Sequence, residues 1–274
     1  MNYSCKTDSR LRHKKELYLS SVTVFLLLFL LLPLKTASGQ SSEVAMSNIH
    51  KSYDILLQLY VSENLFDYNR MWRNEADLAR LSRYIDTLGT MNPAEWSKNE
   101  ALAYWINLYN AATIQLVLQN YPLKSIKDIG GFMKKSPWSR KVVKVGGREY
   151  SLNDIEENVI RAQFKDPRVH FALNNASLGC PPLSSRAYLG ERLEDQLEAV
   201  CHAALNDERW VKIGEKEIWL SKIFDWNKKD FEQSGGSLRE FIAKYREDDR
   251  EAILDKTREL KFMDYNWDLN GVEL

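Results

Sequence analysis

Apolar residues recur every three or four positions in several stretches of this chain, which is the spacing of one face of an α-helix. The strongest stretch covers about residues 98–120 and is closed by Tyr121 and Pro122, since proline disfavours helical backbone in the residue before it. The pattern predicts helices over about residues 49–60, 78–85, 98–120 and 192–205, and a helix that Ser237 caps and that contains Leu238, Phe241 and Tyr245.

Short runs of alternating apolar and polar residues predict strands. Residues 141–145 and 148–152 flank Gly146-Gly147, which is a strong hairpin signal, and residues 210–213 and 217–220 predict a second hairpin. Long helices followed by short antiparallel pairs are typical of an α+β fold. We therefore expect a helical N-terminal part with a mostly antiparallel sheet, and not a doubly wound parallel sheet.

The first 39 residues have the layout of a secretory signal peptide. Basic residues precede an apolar run over residues 17–34, and small residues offer a cleavage point before Gln40. The alternative is an uncleaved membrane anchor over residues 17–34, because about 18 apolar residues approach the length of a span. We expect a signal peptide over residues 1–39, a helical extension packed on the core over 40–94 and the main domain over 95–274. The protein would then be exported, to the periplasm or beyond.

Composition and motifs exclude several classes of function. Residues 1–39 hold six of the 38 Lys and Arg and two of the 38 Asp and Glu, so the remainder is slightly acidic and nucleic acid is not an expected partner. Membrane contact is expected only through the N-terminal segment, if it stays uncleaved. The sequence has no HExxH or CxxC spacing and no phosphate-binding GxxxxGK[ST] loop, so we expect no metal and no cofactor.

A histidine and a cysteine ten residues apart carry the strongest candidate chemistry. His170 alternates with apolar neighbours, which predicts a short strand that directs its imidazole away from them. Cys180 follows on a loop that Pro181 and Pro182 stiffen. A thiol nucleophile needs a base within hydrogen-bond reach and an acid or amide behind that base.

The helix before His170 supplies the candidate acid. Ser151 with Asp154 three residues later resembles a capping box, which predicts a helix from there to about residue 164. Glu157 has Arg161 one turn on and is better explained as a solvated ion pair. Glu156 lies nearer the apolar face and is the better candidate.

Structural roles are the plain alternative for the cysteines. Cys201 falls on an apolar helical face and is best explained as a small buried residue, although a Cys180–Cys201 disulfide is an alternative in an exported protein. Asn107 and Asn110 interrupt the apolar surface of the 98–120 helix, so we expect both to be buried and hydrogen-bonded. Asn174 is a further polar residue beside the Cys180 loop.

Four segments of the sequence occur in an order that is typical of one family. They are Glu100 to Ala111, Tyr150 to Glu156 with Arg161, His170 to Asn174 leading to Gly179-Cys180-Pro181-Pro182-Leu183, and Tyr265 to Asn270. In these segments the chain is similar to the family known as domain of unknown function 547. The resemblance covers about residues 95–225, and the C-terminal segment separately.

The resemblance implies an α+β core of the cysteine-peptidase-like or transglutaminase-like kind. Glu156, His170 and Cys180 match the positions of the family's acid, histidine and cysteine. The chain departs from the family at Asn175, where other members often carry cysteine. If the family's nucleophile is the cysteine at the position of Asn175, this chain would be inactive. If it is the cysteine at the position of Cys180, this chain carries the nucleophile.

These residues predict an exported thiol-dependent hydrolase or acyltransferase that acts on a peptide or amide substrate. Cys180 would attack, His170 would deprotonate it and then protonate the leaving amine, and Glu156 would orient the imidazole. Backbone N–H groups of the turn at residues 179–180 would stabilise the oxyanion. The alternative hypothesis is a non-catalytic binding module of the cell envelope, with a buried network of His and Asn side chains and a structural or bridged Cys180.

Signal-peptide cleavage predicts a definite N-terminus. We expect the protein, expressed with its leader in a cell that exports it, to begin near Gln40 in N-terminal sequencing. An intact Met1 in the membrane fraction would contradict cleavage and support the anchor.

Overall fold

Helices dominate the structure, a computed structural model that describes residues 37–130 and 136–272. The predicted signal peptide and the alternative anchor lie almost entirely outside the described residues. Within these two ranges no helix is long and apolar enough to cross a membrane.

The five helices that the apolar spacing predicts are present, together with short helices that it did not predict. The helices are α1 (Ala37–Tyr60), α2 (Tyr68–Trp72), α3 (Glu75–Gly89), α4 (Lys98–Leu118), α5 (Leu193–Leu205), α6 (Lys222–Trp226), α7 (Lys228–Gly235), α8 (Leu238–Tyr245) and α9 (Arg250–Leu254).

The strands pair into small sheets, and the α+β class is confirmed. Both predicted hairpins form, and a C-terminal strand that was not predicted pairs in parallel with the second of them. The antiparallel pairs are β1 (Val61–Ser62) with β2 (Leu65–Phe66), β3 (Lys141–Val145) with β4 (Arg148–Ser151), and β5 (Val211–Ile213) with β6 (Glu217–Leu220); β7 (Glu259–Phe262) lies beside β6.

Helix α4 lies at the centre of the larger of two hydrophobic cores. Seventeen of its 21 residues are buried, because apolar or small side chains surround the helix and are not confined to one stripe. A capping box fixes its start: the Ser97 hydroxyl accepts the Glu100 N–H, and the Glu100 carboxylate accepts the Ser97 N–H.

The two cores meet in sequence at His170, whose neighbours Val169 and Phe171 belong to different cores. The larger core contains side chains from Tyr53 to Leu197, so the helical extension and the main domain share it. The smaller core is built from residues between Cys201 and Ile253, together with Phe171.

Residues Pro167–Phe171 form a 3₁₀ helix, so the strand predicted around His170 is wrong. Pro167 occupies the first turn, where its missing N–H costs nothing, and Asp166 accepts a hydrogen bond from the N–H of residue 168. The apolar alternation has another cause, since Val169 packs in the larger core and Phe171 in the smaller one.

The predicted helix after Ser151 is a π-helix over Asp154–Phe164. The capping box at its start is confirmed, because the Ser151 N–H and hydroxyl donate to the Asp154 carboxylate and the Asp154 N–H donates to the Ser151 hydroxyl. π-helical turns are rare and occur frequently at functional sites. This one carries Glu156.

Asn107 and Asn110 are buried and hydrogen-bonded, as predicted. The Asn107 amide donates to the Tyr188 carbonyl at 2.7 Å and accepts the Tyr188 N–H at 2.9 Å. The Asn110 amide donates to the Ala172 carbonyl at 2.9 Å and accepts the Asn174 N–H at 2.8 Å. The two amides therefore hold the backbone on opposite sides of the Cys180 loop: Asn110 before it and Asn107 after it.

Replacing Asn107 with leucine should lower the free energy of unfolding by about 2 kcal/mol or more. Two buried backbone groups of Tyr188 would lose their partners, at about 1–3 kcal/mol each. Urea unfolding of wild type and Asn107→Leu measures the difference. Asn158→Leu, at an exposed helical position, is the control, and equal loss in both variants would contradict the prediction.

Candidate functional site

The loop that carries Cys180 is fixed by close contact with the C-terminal segment. The Gly179 N–H donates to the Asn266 carbonyl at 2.8 Å, and a Cβ on Gly179 would lie 2.9 Å from that same oxygen. Glycine is therefore required here by the approach of backbone to backbone. The Leu178 N–H donates to the Asp268 carbonyl, which adds a second backbone hydrogen bond between the loop and the C-terminal segment.

The thiol of Cys180 is buried and has both a donor and an acceptor. It donates to the Leu173 carbonyl at 3.3 Å and accepts the Asn175 N–H at 3.3 Å. Burial raises the pKa of Cys180 to about 12, so the group is a thiol at neutral pH. Cys180 and Cys201 are both free, so the alternative disulfide is not formed.

The imidazole of His170 bonds to a carboxylate that the sequence analysis missed. His170 Nε2 lies 2.9 Å from Asp230 Oδ2, and Arg161 Nε lies 2.7 Å from the same oxygen. The hydrogen bonds from His170 and Arg161 hold the pKa of Asp230 below its ordinary value. Because the ionised Asp230 can only accept, Nε2 is the donor in this bond, and Nδ1 has no hydrogen-bond partner in the described ranges.

Glu156 interacts electrostatically with both groups, and no hydrogen bond joins it to either among the described residues. The Tyr109 hydroxyl donates to Glu156 Oε2 at 3.4 Å. Burial raises the pKa of Glu156, and the charges of His170 and Arg161 oppose that rise. Glu156 in turn raises the pKa of Cys180, so one carboxyl interacts electrostatically with both the histidine and the thiol.

The structure thus brings the three predicted site residues into one region but does not join them as predicted. Within the described residues, no hydrogen bond links Cys180 to His170 or Glu156 to His170. The carboxylate that orients the imidazole is Asp230, from α7. Its short, Lys-rich sequence segment offers no signal that would have identified it.

The predicted oxyanion site is wrong in this arrangement. The Gly179 N–H is bonded to the Asn266 carbonyl, and the Cys180 N–H donates to the Ser177 carbonyl at 3.1 Å. Both donors are therefore occupied and neither is available to a developing negative charge.

Asn174 extends a chain of buried amides below the loop. It donates to the Pro181 carbonyl, and its own oxygen accepts the amide of Asn270 at 3.1 Å. The Asn270 oxygen accepts the Tyr68 hydroxyl at 3.0 Å. Together with Asn110, these groups tie the central helix, the Cys180 loop and the C-terminal segment together, whereas His170 lies outside this network.

An aromatic surface adjoins the loop on the C-terminal side, formed by Trp226, Tyr265 and Trp267. Tyr265 lies closest to the thiol loop, since its hydroxyl bonds to Ser177 at 2.8 Å and to Asn175 at 3.0 Å. Its ring centre is 4.8 Å from that of Trp226 and 4.5 Å from that of Trp267. Trp226 is 47% exposed and Tyr265 and Trp267 are half-buried, so Trp226 offers most of the ring surface that a ligand could reach.

Comparison with known proteins adds a family but no activity. Residues 93–205 match the model of the family described as "Protein of unknown function, DUF547". No curated protein matches the chain. No solved structure matches it either. Among the described residues, no group of three or more His, Cys, Asp or Glu side chains is placed to hold a metal ion.

Asp230→Asn should remove a contribution to stability that depends on pH. The pKa of Asp230 in the fold lies below its ordinary value of 3.8, so the carboxylate stabilises the fold above about pH 4, and this stabilisation is lost as the pH falls through the lowered pKa. We expect the variant to be less stable than wild type near neutral pH and the difference to shrink below about pH 4 in urea unfolding. Asp248→Asn, at an exposed position without an ion pair in the described ranges, is the control. A difference that does not change with pH would contradict the ionic role.

Proposed function

We propose that the protein, whose residues 93–205 match the DUF547 family model, is a non-catalytic binding module of the cell envelope. The hydrogen bonding of Cys180 carries this proposal. A nucleophilic thiol needs a base and access, whereas this thiol donates to a backbone carbonyl and accepts a backbone N–H. The envelope location rests on the signal-peptide pattern over residues 1–39.

The acidity of the thiol supports a structural role. A pKa of about 12 leaves on the order of one thiolate in 10⁵ molecules at pH 7. Low-pKa catalytic thiols are paired with a cation such as imidazolium, and here the interacting charge is the carboxyl of Glu156, which raises the pKa further. Cys180 then acts as a small buried group that satisfies two backbone atoms.

In this proposal the aromatic surface of Trp226, Tyr265 and Trp267 contacts the ligand. Exposed aromatic rings supply large contact area with little loss of conformational entropy. Tyr265 is anchored by Asn175 and Ser177, so the surface is already in position before a ligand arrives. The buried amide network holds the loop and the C-terminal segment in register beneath it.

A second candidate is the thiol-dependent hydrolase or acyltransferase, and the His170–Asp230 pair favours it. With Nε2 bonded to Asp230, Nδ1 is the nitrogen left to take a proton from a nucleophile. Asp230 would perform the orienting role expected of Glu156. Cys180 would first have to exchange its bond to Leu173 for one to His170, then attack the amide carbon while His170 passes the proton to the leaving amine.

Thiol labelling separates the two candidates. We expect iodoacetamide to modify Cys180 in the folded protein at least about 100-fold more slowly than in guanidinium-unfolded protein at the same pH, because burial suppresses the thiolate. The rate should rise with pH without a plateau between pH 6 and 9, and His170→Ala should not change it. Peptide mapping by mass spectrometry assigns the label to Cys180.

Rapid labelling of folded Cys180 that reaches a plateau below pH 8 would contradict the binding module. If His170→Ala also abolished that plateau, the imidazole would be shown to share a proton with the thiol. That pair of results would support the hydrolase. The unfolded sample controls for the intrinsic reactivity of the reagent.

A further inference from the structure

A concave site lies outside the Cys180 region, between the start of α4, the β3–β4 hairpin and the end of the π-helix. Its volume is about 600 Å³, within the range of about 300–1,000 Å³ that small-molecule sites occupy. We call it the hairpin groove. Its lining includes aromatic, cationic and amide side chains: Trp96, Trp105, Tyr150, Phe164, Lys98, Arg148, Asn92 and Gln163.

The aromatic part of the hairpin groove is held in place by packing. The ring centre of Trp105 is 5.4 Å from that of Tyr150, and Trp105 and Trp96 both pack edge-on against Tyr104. The Tyr104 hydroxyl donates to the Leu88 carbonyl at 2.8 Å, so the central ring of this row is fixed. Trp96 and Tyr150 are half-buried, which leaves ring surface for a ligand.

The charged part of the groove is cationic and uncompensated. Lys98 and Arg148 are exposed, and neither forms an ion pair within the described residues. The Arg148 guanidinium lies 4.9 Å from the ring centre of Tyr150, so cation and aromatic surface are adjacent. No Asp or Glu among the described residues lines the groove.

Three carboxylates lie close to the groove in sequence, and Glu149, the neighbour of Arg148 on β4, lines a different concavity. Glu95 accepts the side-chain amide of Asn92 at 3.3 Å, and Glu100 is held by Ser97 in the capping box of α4. None of the three forms an ion pair with Lys98 or Arg148 among the described residues, so both cations are open to a ligand.

We infer that the hairpin groove binds small organic anions with a flat aromatic body, of the aryl carboxylate class. The rings of Trp96 and Tyr150 would pack against the body, and Arg148 and Lys98 would receive the carboxylate through charge-assisted hydrogen bonds. The exposed amide of Gln163 adds a donor and an acceptor at the margin. This inference is independent of the function proposed for the Cys180 region.

A pair of probes that differ only in charge tests the inference. 2-Naphthylacetate and the neutral 2-naphthylacetamide are titrated into the full-length protein, with affinity measured by calorimetry and location by the tryptophan indole N–H signals in NMR. We expect the carboxylate to bind at least about tenfold more tightly than the amide, since charge-assisted bonds are roughly twice as strong as neutral ones. The indole signals of Trp96 and Trp105 should move, and those of Trp226 and Trp267 should not.

Matched charge variants complete the test. Arg148→Gln and Lys98→Gln should each weaken carboxylate binding about fivefold or more and leave amide binding unchanged, whereas Lys212→Gln, an exposed cation of β5, should change neither. Equal affinity for the two probes would overturn the inference. It would also be overturned by absence of carboxylate binding, by shifts confined to Trp226 and Trp267, or by unchanged binding in both groove variants.

Discussion

The structure depends on a helix that is buried on all sides and carries two amides that must find partners there. Asn107 and Asn110 cannot be hydrated inside α4, so each is satisfied by a donor and an acceptor from backbone elsewhere in the chain. Those backbone groups belong to residues 172–174 and 188, on either side of the Cys180 loop. The position of the loop is therefore a consequence of satisfying buried polar groups, and the apolar packing around α4 would not by itself specify it.

The same requirement explains how the C-terminal segment reaches the site. The Asn270 amide donates to the Asn174 oxygen, and the Tyr68 hydroxyl of α2 donates to the Asn270 oxygen. Three distant parts of the chain therefore share one buried network of hydrogen bonds. With Asn270 fixed, Tyr265 and Trp267 lie beside the loop, and Gly179 allows the two backbones to touch. The aromatic surface is thus positioned by a polar network beneath it.

Desolvation separates the region into two electrostatic environments. The thiol of Cys180 is surrounded by backbone and aromatic groups, and its pKa is raised, whereas Asp230 is partly exposed, bonded to His170 and Arg161, and has a lowered pKa. Glu156 interacts with both environments, but among the described residues its side chain bonds only to Tyr109. Proximity in the fold is therefore not enough to make a catalytic pair, because the thiol bonds to backbone, His170 bonds to Asp230 and Glu156 bonds to Tyr109.

The sequence by itself determined the features that depend on neighbours a few residues apart. These include the long helices, both hairpins, the capping box at Ser151 and the burial of Asn107 and Asn110, since helical spacing, caps and tight turns are local and repeat with a fixed period. Tertiary structure decided the rest. The contact of His170 with Asp230 joins residues 60 apart, β7 pairs with a strand about 40 residues earlier, and the two neighbours of His170 pack in two different cores. Long-range pairing and the desolvation of a thiol depend on how the whole chain packs, and no local pattern encodes that packing.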